Sequence, residues 1–157
     1  MAYQKLQTTA ALSIVSTDNA NIPIYNIVES GTCTIPLPSE LEDNTALFVT
    51  KGVKPGDVVY NNVTLQAATV MTVVNQTNVI LNANIFTVIG EAYTIYAKNV
   101  DGNSCVLYVG TGGTLRVITA GGQDVTFNGI LGGTFLTVQI DKVFKTGTTA
   151  TNLIALW

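Results

Sequence analysis

The sequence predicts an all-β protein: two small antiparallel barrel or sandwich units, jelly-roll-like, with an extended N-terminal segment. Three observations carry that expectation. β-Branched Val, Ile and Thr recur along the whole chain, while strong helix formers are sparse. Apolar residues alternate with period two in many short runs. Turn residues punctuate those runs about every 8 to 12 residues, the spacing of sandwiches and small barrels.

Taken in order, residues 1–40 hold Pro23, Pro36 and Pro38, which confine this stretch to edge strands or an arm. It reads either as an extended arm or as the first strands of an N-terminal unit. Ser39 can cap a short helical turn over Glu40, Leu41 and Glu42. Lys54-Pro55-Gly56-Asp57 places proline and glycine for a type II turn. Thr69–Val74 and Val79–Leu81 are two apolar strand runs. A boundary is expected near Lys98–Gly102, dividing an N-terminal β-domain (1–97) from a C-terminal one (98–157).

Beyond that boundary, Asp101-Gly102 favours a tight turn. Cys105, Leu107 and Val109 alternate with Val106 and Tyr108 in a strand buried on both faces. Gly110-Thr111-Gly112-Gly113 reads as a hairpin turn. Val117–Thr119, Val125–Phe127 and Leu136–Ile140 follow as strands, the last with Leu136, Val138 and Ile140 on its apolar face. Leu156 and Trp157 are expected to close the final strand against Phe127 and Phe144. No internal repeat is evident.

The inventory of reactive groups is short. The absence of histidine removes the usual general base and the commonest metal ligand, and with it any Ser-His-Asp or Cys-His system. Cys33 and Cys105 are far apart and lack CxxC spacing, so both read as buried free thiols. Glu40, Glu42 and Asp43 are close in sequence, whereas Asp57, Glu91, Asp101, Asp124 and Asp141 are scattered. All read as solvated loop ends; a glycosidase would need two of them across one cleft. Asp101-Gly102-Asn103 lacks the acidic run of a calcium loop. Gly110–Gly113 lacks the Lys-Ser or Lys-Thr of a phosphate loop. Arg116 fits an interface anchor or a solvated strand face equally well. The Asn62 and Asn75 glycosylation patterns are the chance matches of an Asn- and Thr-rich chain. No catalytic, cofactor-binding or metal-binding residue follows, and a non-enzymatic protein is expected.

Charged residues make up only 11% of the chain and the net charge is -3, against roughly 25% charged in ordinary soluble domains. Seven basic residues without a cluster argue against a nucleic-acid partner. No apolar run reaches the roughly 18 residues of a membrane span, and the N-terminus is a poor signal peptide, so synthesis in a cytoplasm is expected. So few charges do little to keep copies apart.

The run Leu107-Tyr108-Val109-Gly110-Thr111-Gly112-Gly113-Thr114-Leu115-Arg116-Val117 resembles the opening of a small β-domain of tailed-phage and gene-transfer-agent capsid spike-base proteins. The resemblance continues through Thr119–Phe127, Gly133–Gln139, Val143–Asn152 and Leu153–Trp157, about a third of the chain. Gly52–Asn61, Ala68–Val70 and Val79–Leu81 are similar to segments of marine phage virion proteins. The resemblance implies a virion structural protein: a capsid decoration (cement) or spike-base component made in the host cytoplasm. Its partners would be the major capsid protein or other virion proteins. Self-association would follow local capsid symmetry, with a trimer or pentamer favoured. A tail, neck or baseplate component is the alternative, and a carbohydrate-binding module on the virion a second. The resemblance carries no active site and no cofactor.

Overall fold

A computed structural model describes residues 8–100, 102 and 104–157. Asp101 and Asn103, and with them the expected turn and the calcium-loop candidate, lie outside the described residues. The fold is all-β, with 49% strand and 3% helix among the described residues. The strands form two antiparallel sheets. Among the described residues neither closes into a barrel, so the sandwich-like alternative holds. The chain divides into two compact units, one of residues 15–99 and one made of the N-terminal residues to 14 together with 100–157.

The 15–99 unit holds a seven-stranded sheet. Its strands are β2 (Ile27–Thr32), β3 (Ile35–Leu37), β4 (Glu40–Glu42), β5 (Val58–Asn61), β6 (Gln66–Val73), β7 (Asn78–Leu81) and β8 (Ala92–Tyr96), in the spatial order β2-β8-β5-β6-β7-β4-β3. Pairing shifts register in β6 between Val70 and Thr72. A bulge of this kind bends the strand and sharpens its twist. The sheet therefore curls, and one core collects Leu41 and Val79 from one end with Val59, Tyr93 and Ile95 from the other. Each fully buried aliphatic side chain of this set contributes about 1.5–3 kcal/mol relative to exposure.

Several expectations change here. Residues 27–37 are not an arm: they supply β2 and the edge strand β3, where Pro36 removes no ladder bond that a neighbour needs. Ser39 starts no helical turn. It takes a left-handed conformation with φ of 57° and leads into β4, because Glu40–Glu42 is captured between β3 and β7. The short helix, α1, lies instead at Phe48–Lys51, closed by Gly52 in the left-handed region. The Lys54–Asp57 turn forms as expected: Gly56 has φ of 97° and the Asp57 amide donates to the Lys54 carbonyl at 3.1 Å.

The other unit holds a six-stranded sheet. Its strands are β1 (Ala11–Ser13), β9 (Cys105–Thr111), β10 (Gly113–Thr119), β11 (Asp124–Ile130), β12 (Thr134–Val143) and β13 (Thr151–Leu156), ordered β1-β13-β9-β12-β10-β11. Leu12, Leu107, Val109, Leu115, Val117, Ile140, Val143, Leu153 and Ala155 are buried. β1 pairs with β13, Leu12 opposite Ala155, so this stretch leaves the expected N-terminal domain. The apolar Leu12 and Ile14 complete a sheet that residues 100–157 would otherwise leave with an open edge at β13.

Gly110–Gly113 does not make a hairpin. β9 and β10 do not pair; both lie antiparallel to β12, which sits between them. They are two arms of one bent strand, with the corner at Gly112. A Cβ on Gly112 would collide with the Ile130 carbonyl oxygen and lie 2.8 Å from the Gly132 nitrogen. A Cβ on Gly132 would lie 2.8 Å from the Gly110 carbonyl oxygen. The glycines are required because two backbones meet at the corner, not because one chain reverses there. The strand neighbours of β13 are β1 and β9, so Leu156 stands opposite Val106 and Ala11, whereas Phe127 of β11 stands opposite Leu115.

Candidate functional site

The acids come first, because any hydrolytic chemistry in a chain without histidine would fall to them. Asp43, Asp57 and Glu91 are not solvated loop ends; all three are buried. Each is spent on protein donors. Asp43 accepts from the Tyr93 hydroxyl at 2.8 Å, the Thr45 amide at 2.9 Å and the Thr45 hydroxyl at 2.7 Å. Asp57 accepts the amides of Lys54 and Lys98, at 2.8 and 3.0 Å. Glu91 accepts those of Thr87 and Val88, at 2.8 and 3.2 Å. Asn61, fully buried, takes the Val63 and Thr64 amides and donates to the Ile85 carbonyl at 2.7 Å. Buried polar groups are tolerated when paired in this way. Their arrangement ties loops to the sheet.

Asp43 shows the electrostatics. Burial pushes its carboxyl up, but the Thr45 and Tyr93 hydrogen bonds outweigh that and hold it below the usual carboxylate range. Tyr93 is pushed up by burial and by the facing Asp43. Among the described residues no three His, Cys, Asp or Glu side chains gather as a metal site, and no helix is long and apolar enough to cross a membrane.

Cys33 and Cys105 are both free and buried. Burial raises both thiols, Cys105 to about 12. The native protein should therefore react slowly with thiol reagents at neutral pH, and two thiols should titrate after denaturation without reductant. Fast modification of the folded protein, or fewer than two thiols after unfolding, would contradict this.

Arg116 is partly exposed but not free in solvent. Its guanidinium grips Asp124 with two bonds, at 3.0 and 2.6 Å, and lies 4.3 Å from the centre of the Phe144 ring. Lys142 lies 4.8 Å from the same ring. The cluster pins the segment after β12 against β10.

What the surface offers instead is apolar. At one end of the 15–99 unit two neighbouring loops, linked by the Asn61–Ile85 bond, carry Val63, Leu65, Val88 and Ile89, exposed by 62, 67, 60 and 70%. Leu65 has φ of 53°. The Leu65 amide donates to the Asn61 carbonyl at 3.0 Å, closing the four-residue turn between β5 and β6. A left-handed leucine costs about 1–2 kcal/mol, and glycine or asparagine is the ordinary occupant. Since the side chain points into water, the fold gains nothing in return. On the six-stranded sheet a second apolar group pairs Phe135, 61% exposed, with Tyr108 at 5.1 Å between ring centres. Composition did not reveal either group. The one local signal was a turn, Asn62-Val63-Thr64-Leu65, that carries aliphatics where glycine is usual.

The site thus defines a class: an all-β scaffold that carries outward apolar side chains on two loops held by buried polar groups. No protein-family model matches the chain, and no curated protein or solved structure matches it either.

Proposed function

We propose that this chain is a virion structural protein, a capsid decoration or spike-base component that works by burying surface against neighbouring subunits. The observation that carries the proposal is Leu65: an exposed aliphatic side chain held in a costly backbone conformation, in the same turn as Val63 and on a loop neighbouring the one that bears Val88 and Ile89. Strain of this kind is retained where a function outside the fold uses it. The loops that bear these residues contain no lysine or arginine, which suits an apolar protein surface and not a phosphate-bearing one. The resemblance of residues 107–157 to spike-base domains supplies the setting, and the sparse charge of the whole chain agrees with a life against other protein.

The test uses a single substitution with effects of opposite sign. Leu65→Asn relieves the left-handed strain and should stabilise the isolated protein by about 1 kcal/mol, a rise of a few degrees in Tm. The same change should reduce incorporation of the chain into phage particles assembled in the host, measured by mass spectrometry of purified particles. A variant that is incorporated as fully as the wild type, or a wild type that never co-purifies with particles, overturns the proposal.

A further inference from the structure

The six-stranded sheet has two edge strands, β1 and β11, and the longer of them is β11. Among the described residues its strand neighbour is β10 alone. The hairpin that joins them fixes which of its backbone groups face outward. The Thr119 amide donates to the Gln123 carbonyl at 3.0 Å, and the Gly122 amide to the Thr119 carbonyl at 2.8 Å, so residues 119 and 123 form a hydrogen-bonded pair. Antiparallel ladders alternate. Register then makes 117 with 125 and 115 with 127 the bonded pairs. The even residues of β10 agree, since Thr114 and Arg116 bond in the opposite direction, to residues 144–150. On β11 the amides and carbonyls of Asp124, Thr126 and Asn128 therefore point away from the sheet.

Natural edges are blunted with lysine, proline or inward charge. From 124 to 128 this edge carries none of these; its one charge, Asp124, is engaged by Arg116. Its sequence is also its own complement. Set two copies antiparallel about a two-fold axis through Thr126 and every opposed pair is a favourable one. Thr126 meets Thr126. Val125 meets Phe127, a β-branched residue against an aromatic, on the face where Leu115 and Val117 are buried. Asp124 meets Asn128, an acceptor against a donor, and no like charges face each other. Three outward pairs on each strand supply about six intermolecular hydrogen bonds. The bulge at Gly129, with φ of 68°, ends the regular run just beyond Asn128.

We infer that β11 pairs with the β11 of a second copy, joining two six-stranded sheets into one. The inference stands independently of the phage setting, and it gives a two-fold pair where capsid symmetry would favour a trimer or pentamer.

Native mass spectrometry and sedimentation on the full chain test it. The wild type should show a dimer, or an even-numbered assembly built from dimers, at micromolar concentration. Thr126→Lys places two lysines face to face on the axis; Thr126 is exposed, so the fold should be kept. Its dissociation constant should rise by at least about tenfold. Asn128→Asp opposes two aspartates and should weaken the dimer, whereas Asn128→Lys opposes Lys to Asp124 and should retain it. A wild type that stays monomeric at 100 micromolar (roughly the upper range of weak specific pairs) overturns the inference. So does a dimer that Thr126→Lys leaves intact while circular dichroism reports an unchanged fold.

Discussion

Gly112→Val should unfold the six-stranded unit while residues 15–99 stay folded. The cause is steric and local. Even the Cβ would collide with the Ile130 carbonyl oxygen and come within 3.1 Å of the Leu131 carbonyl carbon. These are backbone atoms, so no side chain can rotate out of the way. The whole turn between β11 and β12 must move, and it is fixed by the Gly133 amide donating to the Val109 carbonyl at 2.8 Å. Overpacking in a rigid site costs about 1–3 kcal/mol for methylene-sized additions, and valine adds three carbons against backbone. That is a large share of the 5–15 kcal/mol that holds a typical domain. Trp157, the one tryptophan, lies in this unit and reports on it by fluorescence. The expected result is an unfolded tryptophan spectrum at room temperature with the amide protection of residues 15–99 preserved. A variant with wild-type Tm and spectrum would show that the corner is looser than its contacts indicate.

Asp43→Ala should cost about 1–3 kcal/mol, because it strands the buried Tyr93 hydroxyl, while the two donors of the exposed Thr45 can turn to water. Chemical denaturation would read it as a lowered midpoint with an unchanged slope. The same carboxylate gives the wild type an acid limb. Its folded pKa lies below the ordinary value of 3.8, so the unfolded chain binds its proton first as pH falls. Its stabilising contribution is full above that ordinary value and is lost as pH drops through the lower, folded one. Tyr93→Phe removes one donor to the charged form, which moves the folded pKa up and shrinks the limb. A stability profile between pH 5 and pH 2 that is identical in wild type and Tyr93→Phe would remove Asp43 from the account. Gly31 belongs to the same site: a Cβ there would run into the Asp43 carboxylate and lie 2.9 Å from the Tyr93 hydroxyl.

The strand content was legible because period-two alternation survives wherever one face is buried, as in Cys105, Leu107 and Val109; Val106 and Tyr108 opposite them are only half-buried, so this strand is not buried on both faces as expected. Topology was not. Glycine-rich runs look alike whether a chain reverses or merely bends, and only the insertion of β12 between β9 and β10 tells the two apart. The helix went to Phe48–Lys51 and not to Ser39–Glu42 because pairing of Leu41 with Pro36 and Val79 outweighs a single capping residue. Burial of Asp43, Asp57 and Glu91 was hidden for a similar reason. Most of their partners are backbone amides, which every sequence supplies and no composition displays. The apolar loop tips escaped notice because Val63 and Leu65, read alone, look like ordinary strand ends.

The pairing of β1 with β13 has a consequence for how the molecule is made. Residues 15–99 are contiguous and can collapse as soon as they leave the ribosome. The other unit is interrupted by them: β1 is synthesised first and must wait, unpaired, until the whole inserted unit and β9–β12 have followed. Non-local closure of that kind is slow, and an unpaired strand is exposed to wrong partners meanwhile. The finished molecule offers a way around the delay. The Thr9 amide bonds the Trp157 carbonyl at 2.5 Å, so a short linker could join Trp157 directly to Thr9, with the chain opened near residue 15. Such a circular permutant would place β13 and β1 side by side in sequence, and its six-stranded unit should refold faster than that of the original chain.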